Sequence, residues 1–144
     1  MPNLISHAII VLFGVFLILF AISFTGSIRN DYRNFIAENE IDHVCLLVKG
    51  AVAKIYVTGS AHGRLNDTMG SIILRMPDRI ADTNYRASFQ DKGVKIETFF
   101  DLRHNMTCII GFPAAYSGST SGGLTSITLY HYANGSRLLE MKKI

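Results

Sequence analysis

With 144 residues, the chain has room for one small domain beyond an anchor. Hydrophobic residues make up 49% and the mean hydropathy is +0.26, high for a soluble domain, and the excess sits at the N-terminus. The net charge of +3 is scattered, with no run of five basic residues, so the chain lacks the basic stripe that a nucleic-acid partner would need.

No Asp, Glu, Lys or Arg occurs from Met1 to Ile28. The dense apolar run is Leu4 to Phe24, interrupted only by Ser6, His7, Gly14 and Ser23. At about 1.5 Å per residue it spans about 31 Å as a helix, close to the thickness of a bilayer core. A helix satisfies its own backbone hydrogen bonds, so it is the form that can cross lipid. A cleaved signal peptide would need a basic start and a shorter run, although Ala21-Ile22-Ser23 has the small residues of a cleavage site. A core helix of a soluble domain would show a polar face, and none exists here. Residues 1–28 are therefore expected to be a transmembrane or filament-core helix. Arg29 and Arg33 follow it and nothing basic precedes it, which by the positive-inside rule would put the rest of the chain in the cytoplasm.

From 29 to 57 the helix is expected to continue in amphipathic form. Phe35, Ile36, Ile41, Val44, Val48, Val52 and Ile55 recur mostly at three- and four-residue steps, with Asn34, Glu38, Asp42, Lys49 and Lys54 between them. Gly50 weakens the pattern. The β-branched content of 44–57 leaves room for a strand beginning near Ala51.

Residues 58–144 read as a β domain. A polar, glycine-bearing loop over 58–70 precedes a strand at 71–76, which Pro77-Asp78 stops. Strands follow at 85–90 and 94–99, joined by Asp91-Lys92-Gly93 with Gly93 expected in the left-handed position. Another strand is expected at 106–112, a small-residue loop at 114–123, a strand at 124–132, a turn at 133–136 and a closing strand at 137–141. Short strands at this spacing suggest a sandwich or small barrel. The fold class is thus α+β: a long N-terminal helix, then a small antiparallel β-sandwich.

Three N-glycosylation sequons, at Asn66, Asn105 and Asn134, all fall in the β region. They place that region outside the cell, against the arginines. Asn134-Gly135 also reads as a type I′ turn. Cys45 and Cys108 permit one disulfide, tying helix to sheet, or two buried thiols.

Catalysis finds no constellation. His7, His43, His62, His104 and His131 do not have metal-ligand spacing. His7, close to the start of the apolar run, suits an interfacial position. There is no Gly-x-Ser-x-Gly elbow, and the Ser/Gly stretch at 116–123 lacks the Lys of a phosphate loop. Asp78, Asp82 and Asp91 stand beside turns, where Asp bonds to nearby backbone. No enzyme activity, cofactor or metal is expected.

The arrangement resembles archaeal type IV pilin-like proteins, the group of archaellins and archaellum stator-type accessory proteins. The resemblance rests on the opening Ile5-Ser6-His7-Ala8-Ile9-Ile10, on the segment Met76-Pro77-Asp78 through Ile80 to Tyr85, and on Ser121-Gly122-Gly123 before a strand. It implies one N-terminal helix carrying a β-sandwich displayed at the cell surface, often glycosylated. Partners would be copies of the chain, other pilin-like subunits, membrane lipid and a surface layer. No basic leader precedes the run and no Glu stands near its start, as expected of an unprocessed accessory protein or a divergent mature chain. Two other roles fit the residues: an accessory subunit of a membrane complex, with the β domain docked on a partner, and a ligand-binding ectodomain.

Overall fold

A computed structural model describes residues 2–60, 67–99 and 105–144. The protein is α+β: helix α1 (Pro2–Ser60) precedes β1 (Asp67–Met76), β2 (Tyr85–Gln90), β3 (Gly93–Thr98), β4 (Met106–Ile109), β5 (Ala115–Thr120), β6 (Gly123–His131) and β7 (Arg137–Lys143). The chain divides into two compact units, Met1–Phe35 and Ile36–Ile144.

The first unit is helix alone. Its large apolar side chains are exposed, and Ile9, Leu12, Phe16, Leu19 and Phe20 are each more than half exposed. Within this helix the Phe20 and Phe24 rings stack at 6.2 Å, one turn apart.

The second unit packs residues 36–60 of α1 with the sheet. Ala37, Ile41, Val44, Val48, Ala51, Val52 and Ile55 are buried on one stripe at helical spacing. Gly50 sits on the exposed side of that stripe, with open space around it, so the helix runs through it. The helix thus reaches Ser60, and the strand weighed near Ala51 does not form: burial of the β-branched Val48, Val52 and Ile55 overrides their strand preference.

All seven strands join one sheet, in the order β1-β6-β7-β5-β2-β3-β4. Every pairing is antiparallel except β5 with β7. No second sheet occurs among the described residues, which show a helix and one sheet and do not show the expected sandwich. Side-chain polarity explains this. One sheet face is apolar and buried, carrying Tyr85, Ala87, Phe89, Val94, Ile96, Ile127, Leu129, Leu139 and Met141. The other face carries Ser71, Arg86, Lys95, Glu97, Ser126, Thr128 and Glu140, which suits water and not a second apolar layer. Ser71 and Thr128 share a hydrogen bond on that face, and Lys95 pairs with Glu97.

Three local expectations change. The segment 114–123, expected as a loop, contains β5. Gly118, at φ +96°, lies so close to β7 that a Cβ would stand 2.0 Å from the Met141 carbonyl oxygen. Small residues there permit parallel pairing, and their composition alone reads as loop. In the β2–β3 turn it is Asp91, not Gly93, that has positive φ (+49°). Gly93 is needed for space instead, since a Cβ there would lie 2.2 Å from the Cys108 oxygen. The β6–β7 connection is not type I′: only Gly135 is left-handed, and its N–H donates to the Tyr132 oxygen at 2.9 Å. It closes a three-residue loop with a bulge at glycine.

Candidate interaction surfaces and a polar cleft

The sequence-predicted residues fall in three places. Cys45, on α1, and Cys108, on edge strand β4, are joined in a disulfide with Cα atoms 6.0 Å apart. Asn105 and Asn134 are exposed, and Asn66 lies outside the described residues. The Asn134 Oδ1 accepts the Ser136 N–H at 3.0 Å and the Ser136 hydroxyl at 2.6 Å. That leaves Nδ2, the atom a glycan is joined to, on an exposed side chain of the turn.

The histidines are not brought together. His7 is exposed on the first unit and His43 on the second. His131 is half-buried in β6, with its Nδ1 enclosed and unpartnered, while His62 and His104 lie outside the described residues. Among the described residues no group of three or more His, Cys, Asp or Glu has the geometry to hold a metal ion. Asp82 and Asp91 occupy turns at positive φ, as the sequence suggests for Asp.

Asp78 has a different setting. Strand β1 ends at Met76, and the corner Pro77-Asp78 turns toward α1. Between them lies an open cleft of about 350 Å³. Glu40, His43 and Leu47 line it from the helix, at three- and four-residue steps on one face. Arg75, Met76, Pro77 and Asp78 line it from the strand end.

The corner is held by specific contacts. The Tyr85 hydroxyl donates to the Pro77 carbonyl oxygen at 2.8 Å. Burial, with Asp78 nearby, pushes the Tyr85 pKa up to about 12, so this hydroxyl stays a donor throughout the neutral range. Gly122 passes beneath, where a Cβ would meet the Pro77 oxygen at 2.2 Å. Beyond the corner, Ile80 and Thr83 exchange two backbone bonds of 2.9 and 2.8 Å around Ala81 and Asp82, at φ +46° and +61°. This type I′ turn has no glycine, and left-handed backbone costs an alanine about 1 kcal/mol or more. The Ala81 N–H donates to Glu40 Oε2 at 2.6 Å, and this charge-assisted bond holds the turn to the helix. Sequence reasoning missed the cleft because Glu40 and Asp78 lie on separate elements and neither belongs to a motif.

A second cluster tightens the far end of the helix. The Tyr56 ring packs on Phe112 at 4.7 Å and carries the Arg137 guanidinium over its face at 4.8 Å. Tyr116 packs edge-on to Phe89 and donates its hydroxyl to the Phe112 oxygen at 2.9 Å. Tyr56, Phe112 and Tyr116 are partly buried and pack against the core.

Comparison of the chain with protein-family models, with curated proteins and with solved structures gave no match.

Proposed function

We propose that this chain is a non-enzymatic structural protein of the cell surface, pilin-like in the archaeal manner. One observation carries the reading. Its N-terminal helix is long and apolar enough to cross a membrane, and the apolar side chains from Ile5 to Phe24 are fully available to an external partner. The same helix then forms the layer that covers the sheet. An anchor that is also the spine of the folded domain suits a subunit whose first part sits in lipid, or among the helices of its copies, and whose second part is displayed.

The disulfide and the exposed sequons support an outward domain, in a single-pass arrangement at the cell membrane or in an extracellular filament. Disulfides persist in oxidising surroundings and are rare in the cytoplasm. That consideration outweighs Arg29 and Arg33, because the positive-inside rule describes a bias. The partners in this reading are copies of the chain, related pilin-like subunits, lipid and a surface layer.

Labelling intact cells with a membrane-impermeant amine reagent tests the orientation. Modification of Lys142 and Lys143, both exposed at the C-terminal end of β7, supports the reading. Labelling only after lysis contradicts it.

A second reading is an accessory subunit of a membrane complex. Ile73 on β1 and Leu124 on β6 are both more than half exposed, and their register makes them diagonal neighbours on the polar face of the sheet. Such a pair suits a contact with a larger partner.

A further inference from the structure

We propose that the two edges of the sheet pair with each other between neighbouring copies: β1 of one copy adds antiparallel to β4 of the next, with Ile73 opposite Ile109. The inference rests on the surface-protein reading for its partner, a second copy of the chain, and on the edge geometry for the rest.

Chain direction comes first. In the order β1-β6-β7-β5-β2-β3-β4 every neighbour reverses direction except β7 and β5, which run together. Six neighbouring pairs with one parallel leave five reversals, so the edge strands β1 and β4 run in opposite directions. Two copies set side by side in the same orientation therefore bring β4 and β1 together antiparallel, the more stable pairing. Antiparallel pairing of β1 with β1 would need one copy turned end for end along the strands.

Hydrogen bonding fixes which residues meet, because pairs in an antiparallel ladder alternate between bonded and non-bonded. The Ile110 N–H donates to the Lys92 oxygen at 3.0 Å, so Cys108 and Met106 bond to β3 and the backbone groups of Thr107 and Ile109 point away from the sheet. The Ile144 N–H donates to the Leu124 oxygen at 2.9 Å, which gives Ser126 and Thr128 to β7 and Thr125 and Ile127 to β1. Their β1 partners are Leu74 and Ile72, so Ile73 and Arg75 turn their backbone groups outward. Setting Ile73 against Ile109 and Arg75 against Thr107 joins the outward groups of both edges in one register. The side chains agree with it. Ile73 and Ile109 both stand on the polar outer face, 63% and 74% exposed, and as a cross-strand pair each covers the other.

These edges also lack the usual guards. An edge strand is commonly blunted by lysine, proline or a bulge. In β1 the bulge lies between Thr68 and Gly70, and the regular stretch after it has no lysine or proline and only Arg75 as a charge. Strand β4 has no charge or proline at all. Among the described residues neither edge has a further strand beside it. The two bonded pairs supply about four main-chain hydrogen bonds. That is too small a contact to hold free domains together, and it becomes effective for copies concentrated by anchors in one bilayer.

Photo-crosslinking of the full chain reconstituted in lipid vesicles tests this. Arg75, exposed and opposite Thr107 in this register, is replaced by p-benzoylphenylalanine, which leaves the Ile73–Ile109 pair intact. Vesicles hold equal amounts of light and heavy-isotope-labelled chain, so adducts between copies carry mixed masses. Mixed adducts mapping to Met106–Ile109 are expected, and none from the same probe at Arg86, exposed on the inner strand β2. Ile73→Lys and Ile109→Glu should each lower the yield about tenfold, and the two together should restore it. Melting curves of these variants should match the parent, which separates loss of pairing from loss of fold. The proposal is overturned by the absence of mixed adducts from Arg75, by mixed adducts that map to β1, or by a yield that Ile73→Lys leaves unchanged. Amine labelling of intact cells scores the surface location separately, so a displayed chain without mixed adducts overturns the edge pairing alone.

Discussion

Cys45 on α1 and Cys108 on β4 are covalently joined across a sequence separation of 63 residues, and this bond fastens the helix to the edge of the sheet. Strand β4 is short and is paired only with β3, so it depends on the bond more than any inner strand does. In the chain-entropy account, closing a loop of this length stabilises the folded state by about 4 kcal/mol. Denaturant unfolding with and without reductant should show a loss of that order. Cys108→Ser should behave like the reduced protein, and reductant should then have no further effect.

Glycines at two positions should respond in opposite directions. Gly118→Ala places a Cβ against the Met141 backbone at positive φ, so β5 and β7 cannot keep their spacing. A loss of about 3 kcal/mol or more is expected, or failure to fold. Gly50→Ala adds a methyl group in open space on a helix interior, and a gain of about 0.5–1 kcal/mol should appear in the same unfolding assay.

The Ala81 turn offers a test of strain. Ala81→Gly removes the cost of φ +46° but frees the unfolded chain. The two effects leave a net gain of about 0.5 kcal/mol. Ala87→Gly, in buried β2, should be clearly destabilising by comparison. A loss of stability on Ala81→Gly would mean that the left-handed turn is not the conformation in solution.

Stability should fall in alkali. Tyr85 keeps its proton up to about pH 12 in the folded protein, because burial and then Asp78 oppose the phenolate, whereas the unfolded chain loses that proton near pH 10. Above pH 10 the unfolded state therefore binds fewer protons. The stabilisation is complete below pH 10 and is lost between about 10 and 12, by about 2 kcal/mol. Tyr116, raised chiefly by burial, and Tyr130, raised chiefly by its hydrogen bond to Glu140, act in the same direction. Unfolding free energies across this range should show the slope, and Tyr85→Phe should reduce it.

The elements that the sequence reveals are those with a strong period. The apolar run and the strands β2 and β3 carry their patterns openly, and the Asp91-Lys92 turn between those strands is marked by its residues. Strand β5 is hidden because its residues answer to the close approach of β7, a relationship between distant parts of the chain. The single sheet is likewise set by pairings that no local pattern encodes. With only two cysteines the disulfide partner is unambiguous once a bond forms. The cleft is invisible for a different reason: its charges come from a helix turn and a strand end that meet only in the fold.

Electron microscopy of detergent-free cell-surface preparations, with mass spectrometry of the same fractions, tests the central claim most directly. The account predicts this chain in regular surface filaments or in the surface layer, with glycan mass on Asn66, Asn105 or Asn134. Recovery in membranes alone, without glycan and bound to a larger partner, would contradict it.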